Sequence, residues 1–160
     1  MIDRPRLFGA DYSVYVRIAR LALSEKGIDY DHIPVDIFDR DNVPDWYLER
    51  HPFKRIPAFQ HGELRLFETS AITRYVDEAF DGPALQPVDA AARAAMNQTI
   101  SLLDAGDRLT LADLYAAPMI ACFVQADEGR AMLDTHPRLT AWWSRMEARA
   151  SFEETRPTST

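Results

Sequence analysis

Cysteine is nearly absent from this 160-residue chain, where Cys122 stands alone. A single cysteine excludes an intramolecular disulfide and any C-x-x-C redox pair, and it makes the cytoplasm the default compartment. Cations are outnumbered, 18 Lys and Arg against 25 Asp and Glu, for a formal net charge of −7. That balance argues against nucleic acid as a partner, because phosphate backbones need clustered Lys and Arg. No apolar run approaches membrane-spanning length, and the opening MIDRPRLFGADYS lacks the apolar core of a signal peptide. His32, His51, His61 and His136 show no ligand spacing, so no metal is expected. No glycine-rich phosphate loop is present. With 47% hydrophobic and 27% charged residues, the composition is that of a folded globular chain up to its polar tail, TRPTST.

The pattern divides near the middle. RLFG (6–9) reads as a short first strand, and SVYVRIARLALSEKG (13–27) as a helix. Ser13 stands at the N-cap position, Gly27 at the stop, and Val14, Ile18 and Leu21 on one face. IDYDHIPVDI (28–37) alternates like a second strand, and residues 39–53 read as a proline-punctuated loop with one turn of helix. IPAF (56–59) and LRLF (64–67) are two more strands, joined by a tight hairpin in which Gly62 supplies positive φ. SAITRYVDEAF (70–80) is a helix with Ala71, Ile72, Tyr75, Val76 and Ala79 on one face. The order βαβ-ββα implies a parallel pair through a right-handed crossover plus an antiparallel hairpin, hence a mixed four-stranded sheet.

DGPALQP (81–87) reads as a linker. After it come only helical patterns, over 88–104, 110–126 and 137–150. Thr110-x-x-Asp113 has the form of a capping box, Pro118 is expected to kink its helix, and Pro137 occupies a first turn. The expected domains are 1–80, α/β, and 88–152, all-helical. Cys122 is expected to be a buried small hydrophobe, and Trp142 and Trp143 core or interface residues.

Pro57 falls inside a strand pattern, where it cannot donate to a ladder. It is either a trans edge-strand proline or a cis proline at a turn, and a cis bond would turn the backbone of Ile56 outward toward a ligand. Glu68, Thr69 and Ser70 open a helix. They are either plain capping residues or a receptor for an amino-acid head group, the N–H groups taking a carboxylate and Glu68 an ammonium. Ser13 is either an N-cap alone or also the partner of a thiol whose acidity the helix start would raise.

LFGADYSVYVRIARLALSEKGIDY, HPFKRIPAF, LFETSAITRYV and DRLTLADLYAAPM together resemble the cytosolic glutathione transferases of serine type, in the bacterial and phi–theta-like group. The resemblance implies a thioredoxin-like N-terminal domain followed by an all-α domain, and a homodimer. It implies a cytoplasmic enzyme that binds reduced glutathione as cosubstrate and conjugates its thiolate to an electrophilic small molecule. Ser13 matches the serine that stabilises the thiolate, with Tyr12 as a rival hydroxyl. Ile56 and cis-Pro57 match the segment that pairs with the cysteinyl moiety, Glu68 and Thr69 the holders of the γ-glutamyl group, and Arg55 a polar residue near the peptide backbone. Lys54 and Asn42 are candidates for the glycyl carboxylate. His51 stands where the family has Asn, and Lys54 where it has Gly. Between ISLLD and AGDRLTLADL about two helices of the family's all-α domain are missing. That shortening keeps open an alternative, a non-catalytic binding or interaction module of the same fold.

Overall fold

A computed structural model describes residues 4–38, 43–99 and 109–157. The chain divides into two compact units, one running to Gly82 and the other spanning Pro83–Thr155.

The first unit begins with β1 (Arg6–Phe8), α1 (Val14–Glu25) and β2 (Asp31–Ile33), followed by the single turn α2 (Asp45–Leu48). Next come β3 (Ala58–His61), β4 (Leu64–Phe67) and α3 (Thr69–Ala79). The sheet order is β2-β1-β3-β4, with β1 and β2 parallel and the other two pairs antiparallel. Strand β2 is much shorter than its alternating pattern, and β3 is shifted two residues along. The ladder of β3 therefore starts after Pro57, which has no N–H to contribute. The hairpin turns at Gly62, φ 57°.

Helix α1 starts at Ser13, whose Oγ accepts the Val16 N–H at 3.4 Å. It ends in a Schellman arrangement: the Gly27 N–H reaches Ser24 O and the Ile28 N–H reaches Leu23 O, each at 2.9 Å. Gly27 takes the left-handed φ of 68° that this ending requires. The buried stripe is wider than the expected one, running Val16 to Ala19 and Leu21 to Leu23, while Val14 is only half-buried. Helix α3 packs on α1 through Ile72, Thr73 and Val76, leaving Ala71 and Ala79 exposed. A buried ion pair joins the two helices, Lys26 Nζ lying 3.4 Å from Asp77 Oδ1 and 2.9 Å from the Asp77 carbonyl.

The second unit holds α4 (Ala90–Thr99), α5 (Leu111–Phe123), α6 (Asp127–Asp134), α7 (Pro137–Glu147) and α8 (Ala150–Glu154). The expected helix over 88–104 is described only to Thr99; the join expected between Asp104 and Ala105 lies outside the described residues. Helix α6 is not foreseen by the periodicity, being two turns long with Gly129 in its middle. The single helix expected over 137–150 is two, because Arg149 turns extended (φ −79°, ψ 136°) and starts a new one. Leu85 and Gln86, in the expected linker, are buried, and the Leu85 carbonyl accepts the Leu111 N–H at 3.0 Å. The capping residues behave as expected: the Asp113 carboxylate accepts the Thr110 N–H at 2.8 Å and the buried Trp142 indole N–H at 2.7 Å. Trp142 and Trp143 are both core residues. Helix α5 runs on through Pro118. The expectation for Cys122 is wrong: it is exposed, because the last turns of α5 present Met119, Cys122 and Phe123 outward.

Candidate functional site

Strand register decides which loops meet. Phe8, the last residue of β1, pairs with Ile33 on one side and Ala58 on the other, and Ala58 pairs with Phe67. Strands β1, β2 and β4 run one way and β3 the other, so this single row marks the C-terminal ends of β1, β2 and β4 and the N-terminal start of β3. The segments leaving or entering there are 9–13, 34–38, 56–57 and 68–69. Ser13, Ile56, Pro57, Glu68 and Thr69 therefore gather at one end of the sheet although they span more than fifty positions of sequence.

The packing at that end is close. Gly9 has φ 150°, and a Cβ there would overlap the Val16 side chain and lie 3.2 Å from Ile56 Cβ. The loop before α1 is thus pressed against the loop before β3. The Ile56–Pro57 peptide bond is cis, and both side chains are buried. Arg55 is exposed, and its carbonyl accepts the hydroxyl of the fully buried Tyr47 at 2.7 Å. Burial pushes the Tyr47 phenol well above its ordinary range, so it stays a donor.

Ser13 is half-buried at the head of α1. At the head of α3, Glu68 is exposed and Thr69 buried. Glu68 takes φ 72° and ψ 115°, a conformation that costs a non-glycine residue of order 1–3 kcal/mol and collects at functional sites. Its side chain gives α3 no cap, so the first N–H groups keep the anion-binding character of an open helix start. Lys54 is also left-handed, φ 52°, which gives a backbone reason for glycine at this position in the family. Asn42 lies outside the described residues.

Tyr12 is occupied elsewhere. Its hydroxyl donates to Asp36 Oδ1 at 2.7 Å, and desolvation together with the Asp36 carboxylate raises its pKa. His51 has a more active surrounding than its role as a departure from pattern implied. It is 2% exposed, packed among Tyr47, Phe53 and Phe67, with Nδ1 lacking a hydrogen-bond partner. Desolvation lowers its pKa, and Glu68 pulls the other way. Nothing in the sequence pattern marked Asp36, Phe38 or Tyr47. Among the described residues, no group of three His, Cys, Asp or Glu is placed to hold a metal ion. Likewise no described helix is long and apolar enough to cross a membrane.

A thioredoxin-like α/β unit with a cis-proline before its third strand, followed by a helical unit, is the architecture these features define. Two family profiles match the chain, "Glutathione S-transferase, N-terminal domain" over residues 7–84 and "Glutathione S-transferase, C-terminal domain" over residues 102–150. The chain belongs to the glutathione S-transferase family. Glutathione S-transferase 4 of Zea mays is 27% identical over 197 residues, covering 90% of this chain and 88% of that protein. Glutathione S-transferase F6 of Arabidopsis thaliana is 33% identical over 75 residues, which is 47% of this chain and 36% of the relative's length. The crystal structure of glutathione transferase F7 from Populus trichocarpa superposes with a TM-score of 0.83 at 21% identity, covering 94% of this chain and 97% of that one, a likeness of fold. The maize alignment, 197 residues long, exceeds this 160-residue chain, so it passes over maize residues that have no counterpart here.

Proposed function

We infer that the first unit binds reduced glutathione across the end of the sheet and that Ser13 holds its sulfur as thiolate. The register row Phe8–Ala58–Phe67 supports this reading, because the segments that carry the Ser13 hydroxyl, the cis Ile56–Pro57 bond and the Glu68 helix start all meet it. Glu68 takes the γ-glutamyl ammonium, and the N–H groups at Thr69 take its carboxylate. The backbone of Ile56, held by Pro57, pairs with the cysteinyl amide, and Arg55 lies beside the peptide. The Ser13 hydroxyl donates to the thiolate, and the start of α1 adds its positive end; both lower the thiol pKa and raise the reactive fraction at neutral pH. The thiolate then attacks an electrophilic carbon of the second substrate. A C–S bond forms from the sulfur pair, and the leaving group departs with its bonding pair.

Ser13 rather than Tyr12 takes this role because the Tyr12 hydroxyl already donates to Asp36. The protein is accordingly read as a serine-type member, cytoplasmic, with an α/β domain over 1–80 and an all-α domain over 88–152 that lacks about two helices. A second copy is the expected partner, and the two-thirds-exposed Phe53 (68%) supports an association surface. Sedimentation that finds only monomer at micromolar concentration removes the dimer.

The test is a calorimetric titration with glutathione beside conjugation rates. Ser13→Ala is expected to keep glutathione binding and to lose about a hundredfold in rate at neutral pH, the loss shrinking as alkali ionises the thiol directly. Glu68→Ala is expected to lose binding. An unchanged rate in Ser13→Ala overturns the serine's role. Binding without any conjugation by the wild-type chain would make it the non-catalytic module.

A further inference from the structure

The loop that delivers Ser13 to the head of α1 is tied down by side chains that the proposed chemistry does not use. It leaves β1 at Gly9, whose N–H donates to the Ile33 carbonyl at 3.0 Å. On its other side the Gly9 carbonyl lies 2.8 Å from His32 Nε2. A carbonyl only accepts, so Nε2 carries a proton whichever form the ring takes. The second ring nitrogen, Nδ1, faces Asp11 Oδ1 at 3.4 Å. That same oxygen accepts from Arg20 Nη1 at 2.6 Å, and Arg20 Nε donates to the Tyr30 hydroxyl at 3.3 Å. His32 thus spans two residues of the loop from its seat on β2, while Arg20 braces Asp11 from the second turn of α1. The loop then closes with the Ser13 N–H on the Ala10 carbonyl at 3.1 Å. His32, Asp11, Arg20 and Tyr30 are all half-buried.

These ties add nothing to the elements they join. Strands β1 and β2 are already paired through their own ladder, and α1 is already capped by Ser13. What the ties fix is the path between strand and helix. We propose that His32 is a positioning residue for Ser13: by holding Gly9 directly and Asp11 through its second nitrogen, it sets where the Ser13 hydroxyl stands against the glutathione sulfur. Ser13 is the residue most sensitive to that path. It lies outside the helical conformation, φ −73° and ψ 122°, so the chain's angle of entry decides where its Oγ sits. Its Oγ accepts the Val16 N–H, which leaves its own O–H to donate. A donated hydrogen bond weakens steeply once distance or angle drifts, so a small shift of the loop costs thiolate stabilisation before it costs binding. This inference rests on the glutathione reading of the site.

The experiment follows ionisation of the thiol of bound glutathione against pH, by the ultraviolet absorbance of the thiolate, in the full chain and its variants. Calorimetry with S-methylglutathione, which has no thiol, reports separately whether the peptide site is intact. His32→Leu is expected to lower the thiolate-to-thiol ratio of bound glutathione about five- to tenfold, the scale of one hydrogen bond. It is expected to leave S-methylglutathione affinity within twofold. His32→Gln, whose amide can still donate to the Gly9 carbonyl, is expected to recover most of the ratio, and Asp11→Asn to lower it by less than His32→Leu does. In a Ser13→Ala background, His32→Leu is expected to change the ratio no further, because the hydroxyl it positions is gone. A tie that served stability alone would lower the melting temperature and leave the ratio unchanged, and that result overturns the proposal while the glutathione site stands. The same loss with and without Ser13 also overturns it. Should His32→Leu fail to fold, an unchanged ratio in Asp11→Asn decides against the proposal. Failure of the wild type to bind S-methylglutathione overturns the glutathione reading itself.

Discussion

Two helices start at the same end of the sheet, and they start differently. Helix α1 opens at Ser13 in ordinary extended geometry, φ −73°, with its Oγ bonded to the Val16 N–H. Helix α3 opens at Glu68 with φ 72°, without a side-chain cap. A helix gains nothing from the second arrangement: an aspartate or serine in extended geometry would cap it better. The strain at Glu68 has no use to the helix, and the proposed binding of a γ-glutamyl group would give it one. Ser13 serves its helix and, in the proposed reaction, its thiolate at the same time. On the proposed reading, Ser13 satisfies both fold and chemistry, while Glu68 satisfies chemistry at a cost to the fold.

That contrast can be broken in several ways. Gly9→Ala attacks the approach to α1, where a Cβ meets Val16 and Ile56 in a positive-φ position. It is expected to destabilise by about 2–4 kcal/mol, since strain and overlap add; denaturant unfolding measures it. Ser13→Ala removes a cap and is expected to cost about 1 kcal/mol by the same measurement. Glu68→Gly is expected to act with the opposite sign, stabilising by roughly 1 kcal/mol through relief of the left-handed backbone while abolishing glutathione binding. If Glu68→Gly destabilises instead, Glu68 is an ordinary structural residue and the contrast between the two helix starts disappears.

The smallest expected effect concerns pH. Burial lowers the His51 pKa from its ordinary 6.5, with the nearby Arg55 acting in the same direction and Glu68 opposing. The folded state then holds fewer protons on His51 than the unfolded chain does. Stability from this source is complete above about pH 6.5, the unfolded value, and is lost as pH falls below it toward the folded pKa. His51→Asn is expected to flatten the stability profile between neutrality and acid. A profile unchanged by the substitution removes His51 as the source.

Much of this was readable before any coordinates. Hydrophobic spacing placed α1, α3 and α7, and the Ser13 and Gly27 punctuation marked the ends of α1, because caps and stops are local chemistry. Pro57 in a strand pattern flagged a special backbone without deciding between cis and trans. The misses have a common origin. Helix α6 and the break at Arg149 come from packing within the helical unit, and the outward face of Cys122 depends on which side of α5 the described neighbours cover. Asp36 and Phe38 stayed hidden because the hydrogen bond and the ring stack that tie them to Tyr12 cross two dozen positions or more. His51 was noted as a departure, but its burial among three aromatic rings is a property of the fold alone.

By itself the sequence determined the alternation of strand and helix, the two-part division, the helix caps and the family membership, all of which rest on local pattern. Only the tertiary structure decided that four separated segments share one end of the sheet, that Tyr12 is tied to Asp36 while Ser13 heads α1, and that Glu68 is strained. The reason is register: pairing Phe8 with Ile33 and Ala58, and Ala58 with Phe67, is a long-range choice that no local spacing encodes.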